Sequence, residues 1–97
     1  MKKTDIVRRI SDKGFSKTDV SIILETFMDV VKDAIETGEE VTLRGFGTFK
    51  TKFRKTKVAR NIKENKSVVV PEHYIPYFKP ASEFEDRVKN LKGISKK

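Results

Sequence analysis

At Gly38 the hydrophobic pattern of this chain changes its period. Upstream, Val20, Ile23, Leu24, Phe27, Val30, Val31, Ala34 and Ile35 recur at spacings of three and four. That spacing predicts an amphipathic helix over about 17–37, stopped at Gly38. Downstream, Val41 and Leu43 alternate with Glu40, Thr42 and Arg44. Phe49, Thr51 and Phe53 then alternate with Lys50, Lys52 and Arg54. A period of two belongs to half-buried strands. Helices first and strands after them make an α+β chain.

The flanking segments complete the outline. Residues 4–13 read as a short helix, with Thr4 as N-cap, Asp5 at the positive helix end and Ile6 and Ile10 on one face. Gly14 ends it, and Ser16 with Asp19 resembles a capping box for the long helix. The two helices form a hairpin. Its apolar stripe reads as core and subunit packing rather than a cofactor groove, since no reactive polar group lies on it. Gly45-Phe46-Gly47 is a bend between two strands.

Residues 55–70 read as a hairpin projecting beyond the body, because Lys55–Arg60 lacks the apolar face of a core strand. A basic loop that orders only on binding is the alternative. Between Pro71 and Pro80 an aromatic segment returns; Pro76 and Pro80 confine it to an edge strand or an extended linker. Tyr74 and Tyr77 read as buried edge packing, with base stacking as the other use of such rings. His73 reads as a surface residue without chemistry. Ser82 and Glu85 form a second capping box, and Phe84, Val88 and Leu91 predict a last helix over about 82–92. Gly93 caps it, and 93–97 are expected to fray.

All 97 residues are expected to form one domain. Only 36% are hydrophobic and 37% are charged, against about 25% charged in an average domain. A chain of this size buries only about 60% of its unfolded surface and needs extra support. With no cysteine there is no disulfide, and with one histidine there is no His-based zinc site. A second chain is the support that remains. The longest apolar runs, Ile22–Leu24 and Val68–Val70, are far too short to span a membrane. No secretion signal is expected after Met1-Lys2-Lys3, since no apolar run follows.

Charge is concentrated in one place. Residues 44–66 hold nine Lys/Arg and one acid, a net of +8, equal to that of the whole chain. Such a block predicts a binding surface for a polyanion. Its strand period argues against a membrane-lying helix. The candidate phosphate and groove contacts are Lys50, Lys52, Arg54, Lys55, Lys57, Arg60, Lys63 and Lys66, with Asn61 and Ile62 at the turn. Lys2, Lys3 and Arg44 are weaker candidates. Gly45 and Gly47 read first as structural, although the N–H of Gly47 can also meet a phosphate.

Several of these motifs, in this order, resemble the HU/IHF family of bacterial DNA-bending proteins. They are Thr4-Asp5-Ile6, Ser16-Lys17, Gly38-Glu39, Gly45-Phe46-Gly47-Thr48-Phe49, Arg60-Asn61, Ile75-Pro76 and Phe78-Lys79-Pro80. The likeness covers about residues 2–90. It implies an intertwined dimer with an N-terminal helical hairpin, a three-stranded antiparallel sheet, a protruding β-ribbon arm and a short C-terminal helix. It implies that the arms lie in the DNA minor groove and bend or compact the duplex with little sequence preference. It places the protein in the bacterial cytoplasm, on the nucleoid. Relatives carry a proline wedge at the arm tip; here that position is Ile62, apolar but without a fixed φ. Ala59 and Asn65 replace two usual glycines, and Glu64 adds a negative charge near the tip. Ser82 stands where the family has a lysine, which leaves Lys79 as the candidate clamp on the body.

Other classes find less support. A site-selective, IHF-like subunit, of a homodimer or a heterodimer, is the nearest alternative, and a structural RNA-binding protein is a further one. No catalytic set, metal cluster or nucleotide-binding loop is visible, so neither an enzyme nor a cofactor is expected.

Overall fold

Two helices open the chain. In the computed structural model, which describes residues 1–61 and 66–91, α1 runs Lys3–Ser11 and α2 runs Lys17–Glu36. α1 begins and ends slightly earlier than its sequence predicts, and its N-cap is Lys2 rather than Thr4. The cause is Asp5, whose Oδ2 accepts the Lys2 backbone N–H at 2.8 Å and so caps the helix two residues upstream. Ser16 caps α2 as expected, its hydroxyl accepting the Asp19 N–H at 3.2 Å. α2 ends across Gly38 in a Schellman motif: Gly38 N–H donates to Ile35 O at 3.0 Å and Glu39 N–H to Ala34 O at 2.9 Å.

The sheet follows. β1 (Val41–Leu43) and β2 (Gly47–Arg54) pair antiparallel, with Val41 opposite Phe49 and Leu43 opposite Gly47. The chain then leaves the body as β3 (Lys57–Asn61) and β4 (Lys66–Val70), an antiparallel ribbon that forms a sheet of its own. It returns as β5 (His73–Pro80), which pairs with β2 along its whole length and gives the strand order β1-β2-β5. β5 is thus the edge strand its prolines required, since an edge tolerates missing donors. α3 (Ser82–Val88) closes the described chain.

α3 departs from its sequence reading. Ala81, not Ser82, is its N-cap, no side chain caps it, and it stops at Val88. Ser82 is already helical because the Ala81 N–H is held by Phe46 O at 2.9 Å, which fixes the start one residue earlier. Gly93 and the expected fraying of 93–97 lie outside the described residues.

An aromatic cluster joins these elements. The Phe46 ring lies 5.0 Å from Phe78 and 5.5 Å from Phe84, and Phe49 lies 4.9 Å from Phe78. Gly45, at φ +80, turns the chain so that Phe46 can reach this cluster. Tyr74 and Tyr77 are not buried edge residues as expected. Tyr74 packs edge-on to Phe53 at 5.2 Å yet is 69% exposed, and Tyr77 is 36% exposed, because no element covers β5 in the single chain.

The core of one chain is small. Among the described residues its buried apolar side chains are Val7, Val20 and Val31, while Ile22, Ile23, Phe27 and Val30 of α2 lie exposed. Open apolar concavities flank α2. One of about 940 Å³ runs past Val31, Ile35, Phe49, Tyr74 and Pro76. Another of about 450 Å³ is lined by Ile10, Phe15, Ile23 and Phe27. The Cα radius of gyration is 18.6 Å, against about 13 Å for a compact domain of this size.

Candidate nucleic-acid interface

Register decides which residues share a face. Opposed residues in an antiparallel pair project to the same side. The pairs Thr48–Lys79, Lys50–Tyr77, Lys52–Ile75 and Arg54–His73 therefore form one face of the sheet. Phe49–Phe78, Thr51–Pro76 and Phe53–Tyr74 form the other, which turns toward α2. Lys50, Lys52 and Arg54 succeed one another on the outer face at about 7 Å, twice the strand rise. Lys79 stands across the ladder from Thr48, so the outer face carries a block of cations two strands wide.

Two hydrogen bonds mark where body gives way to arm. Pro71 has no N–H to continue the ladder. In its place the Glu72 N–H donates to Thr56 Oγ1 at 3.0 Å, and the His73 ring Nδ1 lies 2.8 Å from Pro71 O. Beyond this junction Lys57 pairs with Val70, Val58 with Val69, Arg60 with Ser67 and Asn61 with Lys66. The sequence did not single out Thr56. Its signal was a hydroxyl residue placed across from the proline that follows the returning strand of the ribbon.

The candidate cations fall into two groups. Lys50 reaches Glu40 Oε2 at 3.7 Å, and Lys3 is ion-paired with Glu25 across the helical hairpin. The Lys3 ammonium, first through its hydrogen bond and then through its charge, holds the Glu25 carboxyl below its ordinary range. Lys3 thus ties α1 to α2. Lys52, Arg54, Lys55, Lys57 and Lys79 are exposed and have no carboxylate partner among the described residues. Unpaired cations in a row are arranged for an external anion. Lys66 is exposed on β4. Arg60 and Asn61 belong to β3 by backbone register, and Ile62 and Lys63 lie outside the described residues.

Gly47 is buried where β1, β2 and β5 meet. A Cβ there would lie 2.5 Å from Phe78 Cζ and 2.6 Å from Lys79 O. Its role is close backbone approach, which seats Lys79. Tyr77 was missed as a member of the cationic face. The signal was its two-residue offset from Lys79 on a strand, legible once the register with Lys50 is known. Among the described residues, no group of His, Asp or Glu is placed to hold a metal ion, and no helix is long and apolar enough to cross a membrane.

A family model described as "Bacterial DNA-binding protein" matches residues 1–89. The integration host factor subunit beta of Saccharophagus degradans is 36% identical over 90 residues, 91% of this chain and 92% of that protein. The same subunit of Stutzerimonas stutzeri is 37% identical over 90 residues, 91% of this chain and 97% of that protein. Among solved structures, an Anabaena HU–DNA cocrystal structure has a TM-score of 0.86 at 28% identity, over 93% of this chain and 99% of that one. HU from Thermotoga maritima has a TM-score of 0.64 at 28% identity, over 92% of this chain and all of that one.

Proposed function

The chain belongs to the family of bacterial DNA-binding proteins that includes HU and the integration host factor subunits, and on that footing we propose that it bends duplex DNA as a homodimer, through its basic face and arm. It is an architectural DNA-binding protein. In our reading the whole chain acts as one DNA-binding unit on the bacterial nucleoid, in the cytoplasm, with no reaction of its own and no cofactor.

The observation that carries this reading is the continuity of cations without a carboxylate partner among the described residues, from Lys79, Lys52 and Arg54 on the sheet through Lys55 and Lys57 into a ribbon detached from the body. The body meets phosphates while the ribbon follows the minor groove. Each neutralised phosphate releases counterions, and this term supplies affinity without sequence preference. Minor-groove readout is degenerate, so the dimer compacts DNA broadly. Arg60, Asn61, Lys63 and Lys66 extend the contact, and Ile62 takes the wedge position.

Bending is measured by energy transfer between dyes on the two ends of a duplex two to three turns long, with binding followed by anisotropy. The ends are expected to approach as protein binds. Binding without approach would mean that the protein coats or bridges DNA, and the wedge role of Ile62 would go.

The apolar surface of α2 supports the second copy. Ile23, 67% exposed in one chain, is a suitable probe. Ile23→Asp is expected to convert the dimer to monomer in sedimentation equilibrium. It removes about 1.5–3 kcal/mol of burial per protomer and places a charge in an apolar contact. A monomeric wild-type chain at micromolar concentration, or an unaffected dimer in the variant, would sink the homodimer.

One observation favours a second reading. Two relatives, at 36% and 37% identity, are integration host factor beta subunits. A heterodimeric, site-selective role then predicts that the chain alone associates weakly. It also predicts that one DNA site resists competition by random duplex.

A further inference from the structure

We infer that Tyr77 is a positioning residue for DNA binding: its ring carries the Lys52 ammonium and aims it outward, at a backbone phosphate. The inference rests on the reading of the outer sheet face as the DNA surface.

Four other strand aromatics, Phe49, Phe53, Tyr74 and Phe78, register to the opposite face of the sheet. Tyr77 does not. It lies opposite Lys50 and two residues from Lys79, inside the cation block. Its ring takes Lys52 Nζ at 4.6 Å from the centroid, diagonally across the ladder, within the range of a cation–π contact. At 36% exposure the ring is covered enough to be held and open enough to be met by a large ligand.

The physical consequence concerns entropy and charge. A free lysine on a sheet surface samples many rotamers, and fixing one on binding costs conformational entropy. A ring beneath the ammonium removes part of that freedom beforehand. Unlike the carboxylate partner of Lys50, it does so without cancelling the positive charge. Lys52 therefore reaches DNA both ordered and fully charged, whereas Lys50 must first leave Glu40.

The test is a double-mutant cycle on the dimeric protein with a short random duplex. The variants are Tyr77→Leu, Tyr77→Phe, Lys52→Ala and the pair Tyr77→Leu with Lys52→Ala. Tyr77→Leu is expected to weaken binding about two- to fivefold at low salt. Tyr77→Phe, which keeps the ring, should bind within twofold of wild type. Lys52→Ala should cost less in the Tyr77→Leu background than alone. The ring-current shift on the Lys52 ε-methylene protons should persist in Tyr77→Phe and vanish in Tyr77→Leu. A purely structural role for Tyr77 would not produce that coupling. If Lys52→Ala weakens binding and Tyr77→Leu adds independently or does nothing, the Tyr77 role is wrong while the DNA face stands. If Lys52→Ala itself has no effect, the face has been misassigned and both readings fall.

Discussion

Replacing Lys52, Arg54 and Lys55 together by alanine is expected to flatten the salt dependence of DNA binding. Each phosphate neutralised contributes about −0.9 to the slope of log affinity against log salt. In a homodimer the triple variant removes three cations from each protomer, so the slope should become less steep by up to about 5. Between 50 and 200 mM salt, the wild type should then lose about a thousandfold more affinity than the variant. The fold should survive, because all three side chains are exposed and none is in an ion pair among the described residues. Anisotropy titrations at four salt concentrations measure the slope, and circular dichroism checks the fold. An unchanged slope would place the DNA on another surface.

Gly47→Ala is the substitution with the largest expected effect on the protein itself. The added methyl would fall within 2.6 Å of both the Phe78 ring and the Lys79 carbonyl. A ring of a flexible side chain can turn away; a backbone carbonyl in a paired strand cannot move without opening the ladder. Overpacking in well-packed cores costs about 1–3 kcal/mol. Loss of the β2–β5 pairing at Gly47 adds to that, so about 3 kcal/mol or more is expected, a large share of the stability of a small domain. Urea unfolding should show a lower midpoint, and DNA affinity should fall with it, because Lys79 and the aromatic cluster shift together. Gly45→Ala is the comparison: it meets open space and carries only the strain of a left-handed φ. If both variants unfold at the same denaturant concentration, close approach at Gly47 is not what holds this corner.

Much of the architecture was legible in particular residues. The apolar spacing from Val20 to Ile35 fixed α2 to within about a residue, because a long amphipathic stripe has few other ways to be buried. Gly45 and Gly47 marked the β1–β2 turn, and the prolines of β5 marked an edge. Helix ends were less legible. Asp5 was legible only as a favourable charge at the helix start, and the folded helix decided that its carboxylate accepts the Lys2 N–H. Ser82 carried a capping pattern, yet a backbone bond from Ala81 to Phe46 set the start of α3.

The sequence by itself determined the order of helices and strands and the location of the charge. Both follow from local periodicity and composition, which act along the chain. Tertiary structure decided which cations stand together and which are occupied. That choice depends on strand register, and a slip of one residue would send Lys50, Lys52 and Arg54 to the opposite face. Register also set Tyr77 under Lys52 and Gly47 against Phe78. These are contacts between residues far apart in sequence, and no spacing along the chain encodes them.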